Sequence, residues 1–140
     1  MSAILMKGTP KGCIIVDENG TETNLSQRPE TILEERCIQN GCTLEGREKA
    51  FRVLTNSSQK AAVLVNEHQQ DLWFPTLSKT CDTCQWISYF HVVKAFASAN
   101  NSCEILCDNG HRETVNCSVR TIQNQLKRCR LFLQKINENY

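Results

Sequence analysis

Near the C-terminus, Val119, Ile122, Leu126, Cys129, Leu133 and Ile136 recur at spacings of 3, 4, 3, 4 and 3 residues. That pattern puts six apolar side chains on one stripe of an α-helix. Ser118, directly before the stripe, suits an N-cap, because its hydroxyl can accept from a free N–H of the first turn. A helix apolar on one side needs a surface to lie on, and the residues before it supply strands. The region 114–137 carries five basic residues, Arg120, Lys127, Arg128, Arg130 and Lys135, and no acidic one. Residues 17–48 hold eight acids against three arginines, so the net charge of +1 conceals an acidic region and a basic helix.

The strands follow from local chemistry. Asn19-Gly20 and Asn109-Gly110 each lie between apolar or Thr-rich stretches and can adopt the positive φ of a tight hairpin turn. Ala50–Thr55, Ala61–Val65, Asp71–Phe74, His91–Ala97, Cys103–Cys107 and Arg112–Val115 read as strands, with Pro75 closing the third. Pro29 suits a first helical residue, Ile32, Leu33, Cys37 and Ile38 keep helical spacing, and Gly41 suits a left-handed stop. A short helix is therefore expected over 29–40. Strands ending in a helix define an α+β fold, mostly antiparallel, and 140 residues without an internal linker fit a single domain over 1–140. No apolar run approaches the length of a membrane span, and no secretory leader is visible, so the expected location is the cytoplasm, with no membrane partner.

Nine cysteines are several times ordinary usage, and an odd number leaves at least one thiol unpaired. In a reducing compartment such a pattern points to metal or thiol chemistry rather than to a disulfide scaffold. Cys81-x-x-Cys84 has the spacing of a zinc knuckle, which supplies half of a tetrahedral site. Cys37 and Cys42, flanking Asn40-Gly41, can supply the other half, as can Cys103, Cys107 and His111. The first set, Cys37, Cys42, Cys81 and Cys84, would hold one structural zinc ion closed to water. The alternative is that these thiols are small buried hydrophobes. No phosphate-binding glycine loop or paired-carboxylate motif is present, and no Cys/His pair is fixed by spacing, so an enzyme is not expected. The aromatic residues Trp73, Phe74, Trp86, Tyr89, Phe90 and Phe96 are read as core.

The segment Leu72-Trp73-Phe74-Pro75-Thr76-Leu77-Ser78, followed by Cys84-x-Trp86-Ile87-Ser88 and His91-Val92 with Phe96, resembles the competence transcription factor (ComK) family of Gram-positive bacteria. Cys37, Gly41, Gly46-Arg47 and Thr55 upstream, and Asn109-Gly110, Ser118, Asn124-Gln125 and Arg128 downstream, match the same pattern. Cys42 and Cys81 depart from it. The resemblance spans about residues 30–133. It implies a cytoplasmic DNA-binding activator that recognises paired A/T-rich boxes of double-stranded DNA, chiefly through the minor groove, as a homodimer or higher oligomer. Under it the basic helix becomes a phosphate-contacting face. Arg47 and Arg128 carry over from the family pattern, while Arg120, Lys127 and Arg130 come from the helix face alone. The alternatives are a non-enzymatic interaction module, in which the acidic 17–48 region meets the basic helix of a neighbour, or a thiol- or zinc-dependent regulator that does not touch DNA.

Overall fold

The computed structural model describes residues 3–138. The chain opens with a meander of β1 (Ala3–Thr9), β2 (Gly12–Asp17) and β3 (Glu22–Leu25). Gly20, at φ +80°, makes the second turn possible, and the Asp17 carboxylate accepts from the backbone N–H of Asn19 and Thr21. At Gly12 (φ +144°) a Cβ would lie 2.0 Å from the Leu25 carbonyl, so only glycine fits where β3 folds back.

Helix α1 (Pro29–Gln39) begins on Pro29, buries Leu33 and Cys37 one turn apart, and stops before Gly41 at φ +78°. Helix α2 (Leu44–Thr55) replaces the strand expected over Ala50–Thr55. The Thr43 hydroxyl accepts from Gly46 N–H at 3.0 Å and caps it. Leu44, Glu48 and Phe51 then fall on its buried side at helical spacing. The β-branched and aromatic residues that suggested a strand are overridden by this cap and by tertiary packing.

Six strands follow: β4 (Val63–Asn66), β5 (Asp71–Pro75), β6 (Gln85–Ser88), β7 (Val92–Ala97), β8 (Cys103–Cys107) and β9 (Arg112–Val115). Helix α3 (Val119–Asn137) ends the described chain. The strands form an antiparallel six-stranded sheet in the order β3-β2-β1-β6-β5-β4 and a three-stranded sheet β7-β8-β9. The architecture is α+β.

Side-chain alternation divides the large sheet between two apolar layers. Met6, Val63, Val65, Trp73 and Trp86 pack against Leu33, Cys37 and Leu44 on the α1 side. Leu5, Leu64, Leu72, Phe74 and Ile87 face the small sheet and α3, meeting Ile105, Val115, Ile122, Cys129 and Phe132. Helix α2 belongs to both layers, through Leu44 in the first and Phe51 in the second. Phe51 meets Phe132 with ring centroids 5.1 Å apart, which ties α2 to α3. Such an aromatic pair contributes about 1 kcal/mol beyond its buried area. Trp73, Phe74 and Trp86 are core residues.

Candidate nucleic-acid interface

Helix α3 carries the basic face, and Ser118 caps it by accepting from Thr121 N–H at 3.2 Å. Its fully buried residues are Ile122, Gln125, Cys129 and Phe132, with Val119, Leu126, Leu133 and Ile136 partly buried beside them. The inward face is thus rotated from the apolar stripe towards Gln125 and Phe132. Gln125 is the polar residue on this inward face. Its side-chain amide donates to the carbonyls of Lys60 (3.0 Å) and Pro75 (2.9 Å), satisfying the end of β5 and the loop before β4 with a single side chain.

The rotation separates two neighbouring cations. Lys127 stands outside with Arg120 and Arg130, all three exposed, and none forms an ion pair with a carboxylate among the described residues. Arg128 lies on the flank that faces α2. Its guanidinium donates to Gln125 Oε1 (2.9 Å), Ser57 Oγ (2.8 Å) and the Gln59 carbonyl (2.7 Å). It also lies 5.1 Å over the Phe51 ring. Burial pulls its pKa down, partly offset by the Cys129 thiol. The side chain remains charged, since arginine starts far above neutral pH. Gln125 and Arg128 therefore form one polar network that holds loop 57–61 to the helix.

Arg47 is not brought together with the α3 cations. It is half-buried on α2 and lines a separate depression of about 220 Å³ with Asn40, Val65, Asn66, Glu67 and His68. Its charge acts on the nearby Cys37 thiol.

The cysteines are distributed through the core. Cys37 and Cys42 sit together at the end of α1, where Cys42 Sγ donates to the Cys37 carbonyl at 3.3 Å. Burial, with Cys42 alongside, pushes the Cys37 thiol up to about 12. Cys84 is buried and donates to the Leu77 carbonyl at 3.3 Å, its thiol pushed up to about 11 by burial, whereas Cys81 is exposed. In the alternative set, Cys103 and Cys107 are buried and His111 is exposed beside Gly20. Among the described residues no three His, Cys, Asp or Glu side chains gather closely enough to hold a metal ion. A closed zinc site needs four converging ligands, so neither set fits one as placed here.

The acids of the N-terminal half are largely engaged within the chain. Glu30 pairs with Arg28, Glu48 with Lys79 and Glu18 with His91. Glu34 accepts from Leu44 N–H and Glu35 from Gln27. No helix among the described residues is long and apolar enough to cross a membrane.

Fold and surface together define a small α+β domain with two antiparallel sheets, a cationic helix crest and an internal Gln/Arg network. Comparison with protein families matches the ComK protein family over residues 4–140, and the chain belongs to that family. A relative, the competence transcription factor of Bacillus subtilis (strain 168), is 29% identical over 118 residues, covering 84% of this chain. The chain spans 62% of that relative's length. No solved structure matches.

Proposed function

We propose that this chain is a DNA-binding regulator of transcription that meets duplex phosphates with the α3 crest and reads A/T-rich boxes chiefly through the minor groove. One observation carries the reading: Arg120, Lys127 and Arg130 stand exposed on an acid-free helix without a carboxylate partner among the described residues. Cations held apart from intramolecular acids are available to displace the counterions condensed on DNA. At about 1.5 Å rise per residue, Arg120 and Arg130 lie roughly 15 Å apart along the helix axis. That span faces several phosphates, which follow one another at about 3.4 Å per strand.

An α-helix with side chains is roughly 10–12 Å wide, whereas the minor groove is about 6 Å wide. The helix therefore lies along the backbone and positions the protein, while other groups sense the groove. A narrow A/T-rich minor groove has an enhanced negative potential, which favours arginine at its edge. Family membership and the name of the relative support the regulatory role. Paired boxes require two copies, so the working form in this reading is a homodimer or higher oligomer. The alternative of acidic surfaces docking on neighbouring basic helices is disfavoured, because six of the eight acids in 17–48 already have partners within the chain.

The test is a titration by fluorescence anisotropy against an A/T-box duplex and a G/C-rich duplex at equal salt, with the mass of the complex from light scattering. Tighter binding to the A/T duplex with two or more copies bound is expected. Equal affinity for both duplexes would overturn the groove reading, and no binding to either would overturn the whole proposal.

A further inference from the structure

Away from α3, a cleft of about 390 Å³ opens between α2, loop 57–61 and the segment following β5. Its lining includes Glu48, Arg52, Lys60, Pro75, Lys79 and Trp86. Small-molecule sites start at roughly this size.

Two features indicate what the cleft would accept. Trp86 is completely buried, and its indole Nε1–H has no acceptor among the described residues. The other tryptophan satisfies the same group, since Trp73 Nε1 donates to Asp71 Oδ1 at 2.6 Å. An indole N–H only donates, so whatever meets it must present an acceptor. The second feature is charge. Three cations and one carboxylate line the cleft, and that carboxylate, Glu48, is already held by Lys79 at 2.8 Å. Arg52 and Lys60 form no ion pair with any carboxylate among the described residues.

The wall is also held from within. Lys60 has φ +53°, a left-handed conformation that lysine rarely adopts, and its carbonyl is fixed by Gln125. The neighbouring Gln59 carbonyl is fixed by Arg128. The wall formed by loop 57–61 is thus fixed in advance, which lowers the cost of binding, while an acceptor reaches the sealed Trp86 Nε1–H only when the cleft floor opens.

We propose that this cleft binds a small organic anion, carrying a carboxylate or phosphate group, between Arg52 and Lys60 with an acceptor directed to the Trp86 indole. The site lies off the α3 crest and does not depend on the DNA-binding reading.

The test follows the two indole N–H signals of the ¹⁵N-labelled full chain by NMR, with sodium pyrophosphate or sodium citrate as titrant and sodium chloride at matched ionic strength as control. The Trp73→Phe and Trp86→Phe variants assign the signals, and either one that folds identifies both. The Trp86 signal is expected to move saturably while the Trp73 signal stays in place. A response to pyrophosphate alone assigns a phosphate ligand, and a response to citrate alone a carboxylate. The paired change Arg52→Gln and Lys60→Gln, at side chains that are not core, should weaken the response by about tenfold or more. A motionless Trp86 signal, an equal response to chloride, or a response unchanged in the paired variant would overturn the site.

Discussion

Arg128 and Lys127 are adjacent in sequence and chemically alike, yet the structure gives them opposite roles, so replacing each with methionine makes a sharp comparison. Methionine keeps most of the aliphatic stem and removes only the cationic head. In Arg128→Met the losses are three hydrogen bonds, to Gln125, Ser57 and Gln59, and the stacking over Phe51. Hydrogen bonds from a charged group contribute about 1.5–3 kcal/mol each, but the head is half-buried, its Nε lacks a partner among the described residues, and its desolvation cost is recovered on removal. A net destabilisation of about 2 kcal/mol results. With a urea m-value of about 2 kcal/mol/M, the unfolding midpoint falls by roughly 1 M. Lys127→Met removes only a solvated charge and stays within about 0.5 kcal/mol of the parent. The assay is urea unfolding of both variants, followed by tryptophan fluorescence. A cycle adding Gln125→Leu should reveal coupling of about 1 kcal/mol between positions 125 and 128. Midpoints that move equally for the two methionine variants, or an Arg128 variant as stable as the parent, would refute the assignment of Arg128 to the internal network.

Other outcomes follow from the core and the turns. Burial holds the thiols of Cys37 and Cys117 up to about 12 and those of Cys84 and Cys107 up to about 11, against an ordinary value of 9.0. Their neutral forms stabilise the fold fully below pH 9, and that contribution is lost as pH rises from there towards 11 and 12. Urea midpoints across an alkaline series will show the fall. Gly12→Ala forces a Cβ to within 2.0 Å of the Leu25 carbonyl and should cost about 3 kcal/mol or more, whereas Gly41→Ala, with open space around it, should cost about 1 kcal/mol through its positive φ alone. Thermal unfolding separates the two. Cys81 is the exposed thiol among the described residues, and it should react with a disulfide reagent much faster than the buried Cys84 three positions on. Peptide mapping of the labelled native protein reads the difference.

Elements with local punctuation were the legible part of the fold. The Asn-Gly turns at 19–20 and 109–110, Pro29 before α1 and Ser118 before α3 each place a boundary by their own backbone chemistry. Helix α2 was obscured because Gly46 interrupts its first turn and the β-branched Val53 and Thr55 favour a strand. Its signal was Thr43 as a cap, with Leu44, Glu48 and Phe51 at helical spacing. On α3, the apolar stripe located the helix but not its rotation. Counting hydrophobic side chains could not include Gln125, whose burial depends on two carbonyls, of Lys60 and Pro75, distant in sequence. In the sequence Arg128 reads as one more cation of the basic helix for the same reason, since Ser57 and Gln59 approach it only through the tertiary fold. The cysteines illustrate a different limit: spacing gave plausible ligand pairs, while convergence depends on side-chain directions set by packing.

In the proposed function three outward cations on α3, Arg120, Lys127 and Arg130, meet DNA phosphates. The most direct test is the salt dependence of duplex binding for the parent and for the variant combining Arg120→Gln, Lys127→Gln and Arg130→Gln. At about 0.9 per phosphate contact, the slope of log K against log salt should become shallower by roughly 2.7 in the variant, with stability retained. An unchanged slope and affinity would place the DNA footprint elsewhere on the molecule.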